Sequence, residues 1–317
     1  LLGPREMRSG VLTLRTAAAL PQGLYHAEVS TPDAPWHPRA VAAGFWVKDA
    51  ALLAAGPKLG VSRDWIRADG RVLPVVGTTY MASDVHRKFL FEPNPAVWDR
   101  DFAYMKRQGI NMVRTGLWTA WSRVMLDPGA VDENVLSALD AYVLSAAKNG
   151  ILVCFNFFAF LPPSYGDSNP YLGPRALEGQ RALLSMVASR YRGVGWVHWD
   201  LINEPSYAPP AGVWKNLPIG DEHERRAWRE WVRARHGEDP LVLRDLWRDH
   251  TDDLLGVPRA DEIGANFLRE KRRPRKVRDF FEFTQVAVAR WAAALRATLR
   301  EAGGEVLVTL GQDEGGT

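Results

Sequence analysis

From about residue 65 onward, apolar stretches of strand length alternate with amphipathic stretches of helix length. No other feature limits the fold as much. Residues 73–79, 110–114, 151–157, 196–202 and 305–310 read as strands, and 96–108, 131–148, 175–191 and 280–302 as helices. Gly109, Asn149-Gly150 and Gly303-Gly304 supply helix stops. Strands that are apolar at nearly every position are buried on both faces, which means a parallel sheet covered by helices. An open doubly wound sheet and a (β/α)8 barrel both satisfy that condition. The doubly wound nucleotide-binding form carries a Gly-rich turn after its first strand. Here that turn is Gly77-Thr-Thr-Tyr-Met-Ala-Ser-Asp84, which lacks the G-x-G-x-x-G spacing, and no G-x-x-x-x-G-K-[ST] occurs. The expected fold is therefore an α/β (β/α)8 TIM barrel, apparently truncated after strand five.

Before residue 65 the texture differs. Residues 11–15 and 23–29 alternate apolar and polar, a Pro-rich connection covers 31–38, and 41–47 is apolar again. Short strands with Gly and Pro between them predict a small antiparallel, β-sandwich-like accessory domain over 1–65. The barrel portion then runs over 66–317, entered through an Asp69-Gly70 hairpin turn. An insertion at about 206–275 is too long for an ordinary connection and carries helical stretches at 222–235 and 241–247.

Composition excludes several classes. With 46% hydrophobic and 24% charged residues the chain is neither disordered nor fibrous. Forty Lys and Arg against 37 Asp and Glu leave +3, so no nucleic-acid partner is expected, and the run Lys271-Arg-Arg-Pro-Arg-Lys276 reads as a solvated loop. No stretch approaches the ~18 to 20 apolar residues of a membrane span, so no membrane partner is expected either. The single cysteine, Cys154, rules out an intrachain disulfide and reads as core. His86 with Asp84 lacks a third ligand nearby, and neither a metal nor another cofactor is expected. No G-x-S-x-G elbow is present. The first residue is Leu1, so a processed product or a segment of a longer chain is expected, and a signal peptide is not visible. Thirteen tryptophans hint at sugar rings, whose C–H faces pack on aromatic planes.

The chemistry concentrates in Trp196-Val-His-Trp-Asp-Leu-Ile-Asn-Glu-Pro205. In a barrel the C-terminal strand ends form the active face, so a strand ending in Asn203 and Glu204 points both into it. A carboxylic acid beside an amide and aromatics can have its pKa raised and act as a general acid. Asn203 can hold a substrate hydroxyl whose hydrogen bond tightens in an oxocarbenium-like transition state.

With that motif at the end of the fourth strand, the chain from about residue 65 resembles the clan A glycoside hydrolases, retaining (β/α)8 glycosidases. The resemblance implies Glu204 as acid/base. It also implies that Arg114, at the end of strand two in Asn111-Met-Val-Arg-Thr-Gly-Leu-Trp118, supports a nucleophilic Glu on strand seven, beyond Thr317. Asn-Glu-Pro is similar to the cellulase and mannanase branch. The stretch Trp228-Arg-Glu-Trp-Val-Arg-Ala-Arg-His-Gly237 and the leading β-domain look like bacterial β-galactosidases. The implied activity is β-galactosidase-like, with endo-mannanase or cellulase as the alternative and a non-catalytic sugar-binding or scaffold protein as the reading from another class. Tyr80, His86, Trp118 and Asn156 follow the strand ends as further substrate-side candidates, with Glu314 in the loop after strand five. The expected partners are an oligosaccharide or polysaccharide and a remaining barrel segment or partner chain, with homo-oligomerisation left open. An extracellular or periplasmic location is favoured over a cytoplasmic one.

Overall fold

The computed structural model describes residues 13, 15, 18–30, 40–117, 121–215, 217–263 and 274–311. Several sequence expectations lie outside these residues: most of the strand at 11–15, the 31–38 connection, Trp118, the start of the basic run at 271–273, and Asp313 and Glu314.

Strands β1 (Gly23–Ser30) and β2 (Ala40–Val47) pair antiparallel as one hairpin. Helix α1 (Ala50–Ala54) starts at Asp49, whose carboxylate accepts from Leu52 N at 2.9 Å. An antiparallel meander follows: β3 (Leu59–Ser62), β4 (Trp65–Ala68) and β5 (Arg71–Val72). Its tight turn holds Asp69 at φ +47° and Gly70 at φ +76°. Two successive positive φ values match the right-handed twist of a two-residue hairpin, which glycine adopts freely and Asp tolerates.

The main sheet then builds up in chain order. Along the chain run β6 (Gly77–Thr79), α2 (Pro95–Arg107), β7 (Met112–Gly116), the short α3 (Trp121–Val124) and, outside that sheet, the hairpin β8 (Met125–Asp127) with β9 (Ala130–Val131). Next come α4 (Glu133–Lys148), β10 (Leu152–Phe158), α5 (Pro174–Arg190) and β11 (Val197–Ile202). Helices α6 (Glu222–His236), α7 (Pro240–Trp247) and α8 (Ala260–Ile263) occupy the insertion, and α9 (Arg275–Gly303) leads into β12 (Val308–Thr309). The sheet order is β12-β11-β10-β7-β6, and every pairing is parallel. A doubly wound sheet reverses its strand order once, at the point where it binds its ligand. No reversal occurs among the described strands, so they form part of the wall of a TIM barrel.

The periodicity that defines each element also decides its packing. On α2, Trp98 and Phe102 lie one turn apart and are fully buried. They meet Tyr142 of α4 edge-on, with centroids 5.3 and 5.2 Å away. Pro95 sits at the first turn of α2, where its missing N–H costs nothing. Helix α4 starts at Asp132, whose side chain accepts from Asn134 N. The first barrel strand is shorter than the apolar run at 73–79. Pro74 has no N–H, and Asn111 satisfies the segment with its side chain, donating to Pro74 O at 2.7 Å and accepting from Val76 N at 3.0 Å.

The β1–β2 hairpin, from the segment expected to form an accessory domain, lies against α2 and α4. Gly44 permits the approach, since a Cβ there would stand 2.6 Å from Ala96 N. Trp46 donates to Ser145 Oγ at 2.9 Å, and Lys48 pairs with Asp140 at 2.9 Å. At the start of β11, Trp196 Nε1 donates to Leu53 O and Leu59 N donates to Gly195 O. Helix α1 and the meander therefore sit at the end of the sheet opposite Glu204.

Candidate active site

Register places the polar residues of the wall in two layers. Thr79, Arg114, Cys154 and His198 are paired across β6, β7, β10 and β11. Two residues further along, Gly116, Asn156, Asp200 and Thr309 are paired across β7, β10, β11 and β12. Since side chains two apart share a face, both layers look to the barrel interior. The intervening Phe155, Phe157 and Trp199 pack on one another in the layer facing the helices. The interior residues line a cavity of about 530 Å³ that includes Arg114, Cys154, His198, Asp200, Asn203 and Thr309.

Asp200 is the centre of this surface. Its buried carboxylate accepts from Arg114 Nε at 3.0 Å, Arg114 Nη2 at 2.5 Å and Asn156 Nδ2 at 3.0 Å, all on Oδ2, and from Thr309 Oγ1 at 3.2 Å on Oδ1. Arg114 reaches two strands across, from β7 past β10 to β11, and Gly116 lets β7 lie close against β10. A Cβ at Gly116 would stand 2.3 Å from Asn156 O. The remaining guanidinium nitrogen, Nη1, donates to Asn203 Oδ1 at 2.8 Å. Arginine has donors only, so this bond fixes the Asn203 amide with its oxygen toward Arg114 and its NH2 turned away. Breaking a buried ion pair of this kind by removing one partner costs about 3–5 kcal/mol.

Beside Arg114 in the deeper layer, His198 and Cys154 are neutral. His198 Nε2 lies 2.9 Å from Thr309 Oγ1 and 3.4 Å from Cys154 Sγ. Burial lowers the His198 pKa from the ordinary 6.5 to about 4 and pushes the Cys154 thiol up to about 12. The desolvation that excludes charge at both groups makes Cys154 inert as a nucleophile at neutral pH.

Glu204 directly follows Asn203 and is half-buried, with φ at +49°. A left-handed non-glycine backbone costs about 1–3 kcal/mol and persists only where neighbours hold it. Two neighbours do so. Asn203 N donates to Phe158 O at 2.9 Å, and Gly311 N donates to Ile202 O at 2.9 Å. Gly311 lies so close that a Cβ would stand 2.5 Å from Ile202 O and 3.2 Å from Glu204 N.

Of the residues singled out in the sequence, the structure joins Arg114, Asn156 and Asn203 in one network with Asp200 at these strand ends, and Glu204 follows Asn203 in the chain. Tyr80 goes elsewhere: its hydroxyl donates to Asp101 of α2 at 2.8 Å, and its ring packs on Phe102 and Tyr142. The parity of β6 explains this, since Thr79 is the residue paired with Arg114 and its neighbour must face the helices. His86 is exposed on a 3-10 turn (His86–Lys88). Among the described residues no group of three His, Cys, Asp or Glu could hold a metal. Asp200, His198 and Thr309 were not singled out. The signal for the first two was present as His198-x-Asp200, two polar residues with strand spacing inside an apolar strand.

Sequential parallel strands, helices outside and a polar interior at the C-terminal strand ends define a partial TIM barrel. No protein-family profile matches the chain. Over 231 residues it is 24% identical to the β-galactosidase BbgII of Bifidobacterium bifidum, covering 64% of this chain and 31% of that protein. Solved structures with a similar fold include a GH42 β-galactosidase from G. stearothermophilus (TM-score 0.53, 17% identity, 74% of this chain and 35% of that one). A β-galactosidase from the psychrophilic Marinomonas ef1 matches at TM-score 0.50 and 20% identity, over 75% of this chain and 37% of that one. The catalytic domain of a β-amylase from Paenibacillus polymyxa matches at TM-score 0.52 and 13% identity, over 74% and 65%. The chain spans about a third of the length of the β-galactosidases it matches.

Proposed function

We propose that this arc belongs to a retaining β-glycosidase of β-galactosidase-like specificity, with Glu204 as general acid/base. The observation that carries the reading is the Arg114–Asn203 bond beside Glu204, at the C-terminal end of the fourth parallel strand. It turns the Asn203 amide protons away from Arg114, where they can donate to a sugar hydroxyl next to the bond being cleaved. Glu204 protonates the leaving oxygen in the first step and takes a proton from water in the second. Asp200 is unsuited to be the nucleophile, because four hydrogen bonds occupy its oxygens. We place the nucleophilic carboxylate, needed ~5–5.5 Å from Glu204, across the open side of the arc and outside the described residues. The β-galactosidase relative supports galactose as the glycon; mannose is the alternative.

The test is hydrolysis of lactose and methyl β-D-galactoside by the full-length protein and its Glu204→Gln variant. Neither substrate has an activated leaving group, so loss of the acid should lower turnover by ~10²–10⁴-fold. A variant with parental turnover would sink the assignment. A parent that binds these sugars without cleaving them would support the non-catalytic reading instead.

A further inference from the structure

The loop after Glu204 displays one large aromatic side chain to solvent and holds it firmly. Trp214 is 54% exposed, yet its backbone sits at φ +63°, a conformation costly for a bulky residue. Its N–H donates to Ser206 Oγ at 2.8 Å, and Ser206 is two residues past Glu204. Ser206 is buried and is itself fixed from both sides. Its N–H donates to Phe160 O at 2.9 Å, and its carbonyl accepts from the Tyr171 hydroxyl at 2.9 Å. The chain between is stiffened by Pro209 and Pro210, with Gly212 N donating to Pro209 O at 2.7 Å. The indole lies edge-to-face against Phe160, which follows the end of β10, with centroids 4.7 Å apart and planes at 64°. An apolar ring ordinarily gains by burial. Here the hydrogen bonds and the strained backbone keep it on the surface, one hydrogen bond away from the segment that carries the candidate acid.

We infer that Trp214, backed by Phe160, is a stacking platform for a pyranose ring on the leaving-group side of the scissile bond. The inference rests on the glycosidase reading and assigns the side of the site that reading leaves empty. Arg114, Asn203 and the interior cavity face the glycon. An acid/base carboxylate must stand at the leaving oxygen, and Trp214 is on that carboxylate's own loop, outside the interior. A flat, immobile indole binds the C–H face of a sugar at little conformational cost. The substrate class it selects is a β-linked disaccharide or longer chain, in preference to a glycoside whose leaving group has no ring.

The test compares lactose with methyl β-D-galactoside on the full-length protein, since both need acid catalysis and only lactose places a ring on the platform. Trp214→Asn removes the indole with a residue that tolerates the left-handed backbone, whereas Trp214→Tyr keeps a ring. The ratio of kcat/KM for lactose to that for the methyl glycoside should fall between about threefold and tenfold in the Asn variant, and recover most of that loss in the Tyr variant. An unchanged ratio, or one that falls equally in both variants, overturns the platform. If the parent cleaves neither galactoside, β-1,4-mannobiose and methyl β-D-mannoside are read in the same way. A parent that binds without turnover is read by calorimetric Kd, and one that binds none of the four sugars overturns platform and glycosidase together. If Glu204→Gln keeps full turnover, the acid assignment fails alone, and the Trp214 ratios still decide the platform.

Discussion

Two buried aspartates, Asp200 and Asp279, organise this molecule in opposite ways. Asp279 on α9 accepts from Arg275 Nε at 2.9 Å and Trp247 Nε1 at 2.7 Å, and lies 3.0 Å from His236 Nε2. Around it are rings: Trp228 stacks on Trp231 at 5.5 Å and on Trp247 at 5.9 Å. These contacts fasten α6 and α7 of the insertion to α9 and fill the space between them. Asp200 has an arginine too, but its partners border a cavity, and Asn203 still has donors to offer. A buried carboxylate whose partners are packed among aromatic rings is a staple. One whose partners leave an amide beside open volume is the floor of a cavity.

The sharpest way to break this contrast is to neutralise each aspartate at constant size. Asp200→Asn in the full-length protein frees Arg114 and loosens Asn203, and misplacement of that kind lowers kcat/KM about 100-fold per folded molecule. Parental activity in the folded variant would remove Asp200 from the site. Asp279→Asn should leave kcat per folded molecule at the parental level while urea unfolding shows a loss of about 3–5 kcal/mol. An activity loss larger than the unfolded fraction accounts for would mean that the insertion shapes the site. The third test concerns pH. The unfolded chain protonates His198 near 6.5 and the folded chain only at about 4. Between those values the unfolded state binds more protons, so stability declines as pH falls from 6.5 toward 4, by ~3 kcal/mol in all from this one group. His198→Gln should flatten that part of the stability profile, and an unchanged slope would show that the imidazole is hydrated. The smallest effect serves as a control remote from both aspartates. Ser145→Ala strands the Trp46 indole N–H and should cost ~1 kcal/mol, adding to either aspartate variant without coupling.

The parts legible in the sequence were those set by runs of like residues. Residues 151–157 and 196–202 are apolar except at Asn156, His198 and Asp200, and they became the central strands β10 and β11, buried at every position. Strand ends were less legible. At 305–310 only Val308–Thr309 is strand, and at 73–76 the polar groups go to the Asn111 side chain instead of a ladder. For the site, Arg114, Asn203 and Glu204 stood out as polar residues closing apolar strands. Asp200 did not, because a carboxylate inside a strand gains meaning only once register sets it beside Arg114 and Thr309. Tyr80 was misdirected by proximity alone. It follows the strand, but strand parity turns its ring to the helices. Trp214 had no signal, since a tryptophan in a long insertion reads equally well as core.

The strand order also has a consequence for how the interior comes together in time. Because neighbours in the sheet are separated by whole crossovers, the Arg114–Asp200 pair closes a gap of 86 residues, and Thr309 reaches Asp200 across 109. Helices α2, α4 and α5 need only local contacts to begin forming, whereas each hydrogen bond to Asp200 must await a long loop closure. On the ribosome, Arg114 and Asp200 emerge well before the hydroxyl that completes their carboxylate's shell. The wall is therefore assembled outside first, and the polar interior surface is among the last parts of the chain to take its final form.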